Sequence, residues 1–353
     1  MTSLEIAFVY DSRSYYLEKG YSETFCADLA DDVTINAVSN ALRKLGHNVV
    51  HVPGIKPLVK HLAAGDEKKW DLVFNFSEGT RGTARESQVP ALLEAYGLPY
   101  TFSDASSLAV CIDKGKTKML LEHYRIPTAP FALVPKYGVD VDYRSLAKGL
   151  AAPLFAKPVA ASTSNGILPS SKIARVEDIQ HTVKSLREQF KDQEILLEEF
   201  LDGTEYTVAI LGPNSSPKVL GALEINWYNQ QGNENGDKDD SSIDFATAFS
   251  KEGRGPGHDI GSIHADMTDP VVKRVADVAL STYQVLGCRD GARVDVRLSS
   301  KHDSEPNVIE VNPLFGLRDD YSLFSVIARN NGMDYHELIA EIVASAWERR
   351  TQD

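Results

Sequence analysis

Two short segments near the C-terminus alternate polar and apolar residues with a period of two: 293–296, Arg-Val-Asp-Val, and 309–312, Ile-Glu-Val-Asn. This pattern is typical of half-buried β-strands, whose successive side chains point to opposite faces. The polar members of each segment then share one face: Arg293 with Asp295, and Glu310 with Asn312. The apolar members face the core: Val294, Val296, Ile309 and Val311. If the strands are neighbours, their oxygen-bearing side chains suit Mg²⁺, although two strands with solvated faces would give the same pattern.

The first third of the chain predicts alternating strands and helices. Strands are expected at 4–10, 48–52 and 70–76. A helix with a stripe of apolar residues follows the first strand, with Asp32 or Thr34 as its cap, and a second helix covers 88–96. Such alternation indicates a parallel sheet, whose active groups belong at the C-terminal ends of the strands. The segment Ser77-Glu-Gly79 lies at such an end.

Two further units are predicted. The middle unit has a helix at 114–123, a strand at 154–157, a small-residue loop at 160–166 and a helix at 179–190. The last unit has strands at 195–200, 206–211 and 219–227, a helix starting at Pro270 after the cap Asp269, and a closing helix with a capping box, Asp334 with Glu337. Between them lies a polar, glycine-rich stretch, 228–257, that is either a lid or a disordered insertion.

Composition narrows the function. At 353 residues the chain is long enough for two or three units. A net charge of −13 argues against binding to nucleic acid, which needs a basic surface. The three cysteines are widely spaced and form no disulfide or zinc pattern. We expect a soluble, cytoplasmic protein without a signal peptide or membrane span.

Two lysines are candidates for phosphate binding. Lys114 opens an amphipathic helix, where a solvated surface position is the alternative. Lys157 ends an apolar strand and therefore needs a partner, such as a nucleotide phosphate. The small residues at 160–166 would let backbone N–H groups approach phosphates, although an ordinary turn fits them too. The sequence contains neither a P-loop nor a GxGxxG fingerprint, so a different nucleotide fold is required.

A hinge between two strands completes the pattern. Residues 196–208 read Leu-Leu-Glu-Glu-Phe-Leu-Asp-Gly-Thr-Glu-Tyr-Thr-Val. With this segment the chain resembles the D-alanine–D-alanine ligase family of the ATP-grasp superfamily. The matching motifs occur in family order: Leu-Pro-Tyr-Thr101, Asp113-Lys114, Lys157-Pro158, Glu198 to Glu205, Arg293-Val-Asp295, and Glu310-Val-Asn312 with Gly316.

The resemblance implies an α/β ATP-grasp fold in three parts. These are an N-terminal Rossmann-like domain over 1–102, a central ATP-grasp subdomain over 103–194 and a C-terminal subdomain over 195–353. The last carries the metal site and the stretch 228–257 as a lid. The two subdomains would clamp ATP, and relatives imply a homodimer through the N-terminal unit.

The resemblance also implies roles for individual residues. ATP would be held by Lys114, Lys157, Glu198, Glu199, Phe200, Leu201 and Glu205. Two Mg²⁺ ions, with Mn²⁺ as an alternative, would be bound by Asp295, Glu310 and Asn312. Arg293, the N–H of Gly316 and Ser164 would act in catalysis, the first two by stabilising a tetrahedral intermediate. The implied chemistry is phosphorylation of a substrate carboxylate by ATP, followed by attack of an amine on the acyl carbon.

The departures from the family lie on the substrate side. The acidic motif after the first strand is matched only in part, by Asp32 and Thr34, and the lid positions usually taken by Lys-Tyr fall on Ala248 and Phe249. The glycine turn has one extra residue and a charged Arg318-Asp-Asp320. Predicted substrate-binding residues are Glu78, Arg85, Asp32, Arg318, Tyr321 and Ser322. Local ion pairs are the alternative for Arg318, Glu78 and Arg85.

These features predict an ATP- and Mg²⁺-dependent carboxylate–amine ligase that joins amino acids, with an altered substrate side. One alternative is a genuine D-alanine–D-alanine ligase of cell-wall synthesis. A second is a nucleotide-binding module without catalysis, against which the complete set of Arg293, Asp295, Glu310 and Asn312 argues. A third is a phosphotransferase that stops at the acyl phosphate. Small amino acids are the expected partners, and neither nucleic acid nor a membrane is expected.

Overall fold

The computed structural model describes residues 2–23, 25–136, 141–162, 164–190, 193–227, 245, 260–300 and 304–350. These residues form three sheets with helices packed around them. The predicted lid stretch lies outside the described residues apart from Phe245. Within the described part of the chain, no helix combines the length and apolar character needed to cross a membrane.

The first sheet is parallel, with strand order β2-β1-β3. Its elements are β1 (Glu5–Tyr10), α1 (Arg13–Glu18), α2 (Asp32–Lys44), β2 (Asn48–Pro53), α3 (Ile55–Ala64), β3 (Leu72–Phe76) and α4 (Gln88–Ala95). The predicted alternation and parallel sheet are confirmed. The predicted cap of α2 is wrong: Asp31 caps it, because its carboxylate accepts the N–H of Thr34 at 2.7 Å.

The second sheet is antiparallel, with order β4-β7-β5-β6. This region comprises α5 (Ala105–Cys111), α6 (Lys114–His123), β4 (Phe131–Val134), α7 (Tyr143–Leu146), β5 (Leu154–Pro158), β6 (Lys172–Ile173), α8 (Ile179–Gln189) and β7 (Ile195–Glu199). We expected β7 in the last unit, but it pairs with β4 and β5. Its continuous apolar run, Ile195–Leu197, is fully buried, as a central strand requires. The division of the chain into three domains stays a prediction.

The third sheet is also antiparallel, with order β10-β9-β8-β11-β12. It is followed and covered by helices, in the element order β8 (Glu205–Gly212), β9 (Lys218–Trp227), β10 (Ile260–His264), α9 (Pro270–Val285), β11 (Asp290–Ser299), β12 (Glu305–Asn312), α10 (Leu323–Asn330) and α11 (Tyr335–Arg349). Helix α9 packs on one face of the sheet, and α10 and α11 pack on the other. The predicted caps of α9 and α11 are confirmed: Asp269 precedes Pro270, and Asp334 forms a capping box with Glu337.

A buried ion pair ties the sheet regions together. Asp290, at the start of β11, is fully buried, and its carboxylate accepts hydrogen bonds from Arg349 at 2.8 and 3.1 Å. The same carboxylate accepts the N–H of Phe102 at 2.7 Å and the hydroxyl of Ser345 at 2.8 Å. Three residues, all distant in sequence from Asp290, therefore donate four hydrogen bonds to one carboxylate.

We predict that Asp290→Asn destabilises the protein strongly. Asparagine retains the size of the side chain and tolerates the positive φ of 62° at this position, so the main change is loss of the charge that compensates Arg349. A buried ion pair broken on one side costs about 3–5 kcal/mol. The measurement is the free energy of unfolding in urea, followed by tryptophan fluorescence.

The control is Glu23→Gln, which breaks the exposed pair of Arg13 with Glu23 and should cost less than about 1 kcal/mol. Equal losses in the two variants would contradict the importance assigned to the buried pair.

Candidate active site

The two alternating segments are neighbouring strands. In the antiparallel register of β11 and β12, Arg293 lies opposite Asn312 and Asp295 lies opposite Glu310. The predicted meeting of these four polar side chains is confirmed. It follows from the register alone, because directly opposed residues on two antiparallel strands project to the same face.

A β-bulge changes one detail of the prediction. The register shifts between Asp295 and Val296, so Val296 pairs with Val308 and Ile309 is the extra residue on β12. The expectation that Ile309 faces the core is therefore wrong. Val294, Val296 and Val311 are buried as predicted, whereas Ile309 is half-buried and lines a pocket beside Glu310.

Asp295 is surrounded by hydrogen-bond donors. Arg293 donates to its two oxygens at 3.0 Å each, Thr207 of β8 donates at 2.6 Å, and the amide of Asn312 donates at 3.2 Å. Burial lowers the pKa of Arg293, but the neighbouring Asp295 outweighs burial and raises that pKa above its ordinary value. Arg293 is therefore a fixed positive charge at the end of the site.

Lys114 joins this group from a different element. Asp113 caps α6 by accepting the N–H of Lys116 at 3.1 Å, and this cap places Lys114 in the first turn. The ammonium of Lys114 contacts Glu310 Oε1 at 2.8 Å and the carbonyl of Ala161 at 2.8 Å. Lys114 is buried, so the alternative of a solvated surface lysine is excluded.

A second buried group of charges lies nearby. Glu198 contacts the ammonium of Lys157 at 2.7 Å and that of Lys118 at 2.8 Å. Burial raises the pKa of Glu198, but the two lysines outweigh it and lower that pKa to about 2. Lys157 therefore has the partner that its buried position requires, and in the described structure that partner is Glu198. Lys118 was not predicted from the sequence, although it lies one helical turn after Lys114 on the same helix.

These residues line a pocket with an aromatic end, which we call the aromatic pocket. Phe155, Phe200 and Phe245 pack on each other with ring centroids 5.0–6.2 Å apart, and Ile167 packs against them. The polar end contains Lys114, Lys157, Asp295 and Glu310. The predicted residues Ser164, Glu198, Glu199, Leu201 and Glu205 also line it. An apolar, aromatic end beside a cluster of cations suits a planar base attached to phosphates.

Phe155, Phe245 and Arg297 also line this pocket and were not predicted from the sequence. Phe155 and Phe245 read as ordinary apolar positions, and their role depends on tertiary packing. Arg297 of β11 donates to the carbonyl of Gly203 at 3.1 Å and contacts Glu205 at 3.5 Å, beside the ring of Phe200. The alternation that predicted Arg293 and Asp295 continues to Arg297, so this residue could have been found.

A second cleft, which we call the acidic cleft, opens on the other side of Lys114 and Glu310. It has a volume of about 500 Å³ and is lined by the carboxylates of Asp28, Glu78, Glu86 and Glu310. The cleft is also lined by Arg293, Asn312, Gly316, Tyr321 and Ser322. The two cavities therefore share Lys114 and Glu310, and a group placed there is accessible from both.

The predicted substrate-binding residues divide into two groups. Glu78, Tyr321 and Ser322 line the acidic cleft, and the Ser322 hydroxyl accepts the N–H of Arg318 at 2.9 Å. The other three are bound to protein groups. Arg318 pairs with Asp31 at 3.0 Å and Asp320 at 2.9 Å, as the ion-pair alternative anticipated. Asp32 accepts the Ser14 hydroxyl at 2.9 Å on the protein surface.

Arg85 is the third residue of the second group. Its guanidinium donates to the carbonyl of Ala160 at 3.0 Å, to the hydroxyl of Ser162 at 2.6 Å and to Asp28 at 3.1 Å. It therefore joins the segment after β3 to the small-residue loop 160–166. The structure gives it a positioning role next to the cleft.

The arrangement also offers a set of ligands for a hard cation. Asp295, Glu310 and Asn312 present two carboxylates and an amide on one face of rigid strands, next to the polar end of the aromatic pocket. In the described structure Arg293 and Lys114 neutralise those carboxylates. Oxygen donors beside a phosphate-sized space fit Mg²⁺, which takes one or two carboxylates together with substrate phosphates.

Comparisons with known proteins agree with this geometry. Residues 120–344 match the family described as D-ala D-ala ligase C-terminus. The D-alanine–D-alanine ligase of Desulforudis audaxviator is 30% identical over 313 residues, which cover 89% of this chain and 92% of that protein. The enzyme of the same name from Cupriavidus necator is 28% identical over 295 residues, or 83% and 80% of the two chains.

Solved structures show the same fold. D-alanine–D-alanine ligase from Bacillus anthracis superimposes with a TM-score of 0.73, at 21% identity and with 99% of each chain covered. Its complex with ATP gives a TM-score of 0.72 at 22% identity, again with 99% of each chain covered. Together with the match over 120–344, these likenesses show that the chain belongs to the D-alanine–D-alanine ligase family of the ATP-grasp superfamily.

Proposed function

We propose that this protein is a D-alanine–D-alanine ligase that uses ATP to join two D-alanine molecules. Membership of the family makes it an ATP-dependent ligase that forms C–N bonds. The observation that carries the proposal is the junction of the aromatic pocket and the acidic cleft at Lys114 and Glu310. A nucleotide in the first cavity and a carboxylate in the second would meet there.

The expectation of an altered substrate is not supported. The relatives compared above are named D-alanine–D-alanine ligases, and the match covers most of their length. The sequence differences among the predicted substrate-binding residues do not point to any other substrate. In the structure one of those differences, Arg318, forms ion pairs within the protein. The simpler proposal therefore takes D-alanine for both substrates.

The residues of the aromatic pocket would bind and orient ATP. The three phenylalanines and Ile167 would enclose the adenine, and Glu205 would accept hydrogen bonds from ribose hydroxyls. Lys114 and Lys157 would contact the phosphates. Asp295, Glu310 and Asn312 would hold two Mg²⁺ ions. The positive charge of these ions would offset the negative charge of the phosphates during transfer.

On the other side of the junction, the protein would position the acceptor groups. A carboxylate oxygen of the first D-alanine would take the γ-phosphoryl group of ATP, which gives an acyl phosphate and releases ADP. The amine of the second D-alanine then forms a bond to the acyl carbon, phosphate leaves and the amine loses a proton. Arg293 and the backbone N–H of Gly316 would stabilise the negative charge that develops on the acyl oxygen. Ser322 would bind the carboxylate of the second D-alanine.

Two broader expectations stay proposals. We expect the protein to act in the cytoplasm, and we expect it to form a homodimer. Neither bears on the assignment of the two cavities.

The first prediction from the proposed function concerns the reaction itself. Purified protein with MgATP and D-alanine should release phosphate and form D-alanyl-D-alanine, detected by mass spectrometry, whereas L-alanine should give at most a small fraction of that rate. Because both assays use the same protein and ATP, L-alanine is the matched control. Dipeptide formation from another pair of amino acids, with none from D-alanine, would contradict the proposal.

The second prediction concerns the metal ligands. Asp295→Asn and Glu310→Gln should each lower kcat at least about 100-fold, because each removes a charge that would hold Mg²⁺ against the phosphates. Both variants should retain the far-UV circular dichroism of the wild type. The measurement is phosphate release over a range of Mg²⁺ concentrations.

The matched control is Glu305→Gln, the same chemical change at an exposed position on the same strand as Glu310. It should leave kcat unchanged. Full activity in Asp295→Asn and Glu310→Gln would refute the assignment of the metal ligands.

The third prediction concerns Glu198 and pH. Glu198→Gln should destabilise the protein by about 3–5 kcal/mol at pH 7, because Lys118 and Lys157 lose their shared buried counter-charge. The pKa of Glu198 is lowered from 4.5 to about 2 in the folded protein, so its contribution is complete above pH 4.5 and declines as pH falls towards 2. Thermal unfolding from pH 7 to pH 3 measures the difference.

The control for this experiment is Glu177→Gln, which removes the carboxylate from an exposed pair with Arg144. It should change stability by less than about 1 kcal/mol. A wild-type advantage over Glu198→Gln that grew on acidification would have the wrong sign and would exclude the ion-pair explanation.

A further inference from the structure

Arg297 is a buried cation on the face of β11 that also carries Arg293 and Asp295. Alternation along the strand places these three side chains on one side of the sheet. Arg297 is only 6% exposed, and it lines the aromatic pocket. A buried guanidinium is costly unless it is paired and hydrogen-bonded, so the contacts of Arg297 indicate what it does at this position.

The guanidinium of Arg297 joins the segment between two sheets to the start of β8. Residues 200–204, which we call the hinge, connect β7 of the second sheet to β8 of the third. Arg297 donates from Nε to the carbonyl of Gly203 at 3.1 Å, and its Nη1 lies 3.5 Å from a carboxylate oxygen of Glu205. Its guanidinium carbon is 4.9 Å from the ring centroid of Phe200, a distance that suits a cation–π contact. One planar group therefore contacts the hinge and the first residue after it.

The backbone around Arg297 holds the hinge against β11. Glu205 lies directly opposite Arg297 in the antiparallel register of β8 and β11. Beyond that pair, the N–H of Gly203 donates to the carbonyl of Leu298 at 3.0 Å, and the N–H of Leu298 donates to the carbonyl of Thr204 at 2.9 Å. A Cβ on Gly203 would lie 2.6 Å from the carbonyl oxygen of Leu298, so this close approach requires glycine. Arg297 and Glu205 therefore project from backbone that is fixed on both sides.

Glu205 needs a nearby cation if a nucleotide occupies the aromatic pocket. Its carboxylate would face the ribose hydroxyls in a cavity that must also accept the negative charge of the phosphates. Like charges at close range destabilise each other, and an adjacent guanidinium offsets this effect. The donors of a guanidinium also lie in a rigid fork, so Arg297 limits the directions in which the carboxylate of Glu205 can turn.

We propose, on the basis of the function proposed above, that Arg297 is a positioning residue for the nucleotide. It holds the carboxylate of Glu205 towards the ribose hydroxyls and compensates its charge. The preference of the protein for a nucleotide that carries ribose hydroxyls therefore depends on Arg297, and this effect is exerted through Glu205.

The test compares two nucleotides that differ only in the sugar. ATP is the first, and 2′,3′-dideoxy-ATP is the second, because it retains the base and the triphosphate and lacks both hydroxyls. Isothermal titration calorimetry of the full chain with Mg²⁺ and without an amino acid gives Kd for each nucleotide, apart from ligation. The wild type should bind the dideoxy compound at least about tenfold more weakly than ATP, the size expected for loss of hydrogen bonds to a charged group.

We expect Arg297→Met to reduce this preference to within about twofold, mainly by weakening the binding of ATP. Methionine is long and unbranched but supplies neither the charge nor the donors. Arg297→Lys retains the charge without the fork and should give an intermediate preference, which provides a second variant if Arg297→Met does not fold. The control is Arg144→Met, the same change at an exposed position, which should leave both Kd values unchanged.

A double-mutant cycle tests whether Arg297 acts through Glu205. Glu205→Gln alone should remove most of the preference for ATP. The double variant, Arg297→Met with Glu205→Gln, should bind ATP within about twofold of Glu205→Gln, because no carboxylate remains to be positioned.

Four results would overturn the inference. Equal binding of the two nucleotides by the wild type would remove the preference to be explained. Equal losses for both nucleotides in Arg297→Met would indicate a purely structural role. Losses that multiply in the cycle would show that Arg297 acts independently of Glu205. A full wild-type preference in Arg297→Lys would exclude a role of the guanidinium fork.

Failure of the proposed function would look different. A wild-type protein that binds ATP but forms no D-alanyl-D-alanine would refute the proposed ligase while leaving the role of Arg297 in nucleotide binding intact. A wild-type protein that forms the dipeptide while Arg297→Met retains the full preference for ATP would refute only the role of Arg297.

Discussion

The antiparallel pairing of β11 with β12 fixes the groups on which both cavities depend. Because strand side chains alternate, a slip of one residue would move Asp295 or Glu310 to the opposite face of the sheet. The register keeps Asp295 opposite Glu310, and the bulge after Asp295 turns Ile309 into the aromatic pocket without disturbing that pair. Placement on β-strands within a five-stranded sheet also limits movement of the proposed metal ligands, which a metal site requires.

Charge compensation is the second constraint, and it links stability to ligand binding. Lys114, Lys118, Lys157 and Arg293 are held by carboxylates at 2.7–3.0 Å in a chain with a net charge of −13. Phosphates entering the aromatic pocket would compete for Lys114 and Lys157. Under the proposed function, a metal ion would replace Lys114 as the counter-charge of Glu310, so nucleotide and metal binding would reinforce each other.

Much of this architecture could be predicted from the sequence. Period-two alternation identified the site strands, and the order of motifs identified the fold and the charged residues of the aromatic pocket apart from Arg297. What could not be predicted depends on contacts between distant segments. The apolar pattern of β7 would fit a strand of either sheet. No glycine in the sequence marks the bulge at Asp295. Lys118 has the pattern of an ordinary helical lysine, and only the fold brings Glu198 beside it.

The substrate side shows why sequence differences alone were misleading. Arg318 departs from the family pattern, yet in the structure it joins the cap of α2 to the glycine turn through Asp31 and Asp320. Arg85 likewise joins Asp28 to the loop after β5. Both guanidinium groups therefore support the fold around the acidic cleft. A residue that differs from the family pattern therefore has to be judged by its contacts in the fold, because ion pairs within the protein account for Arg318 without a change of substrate.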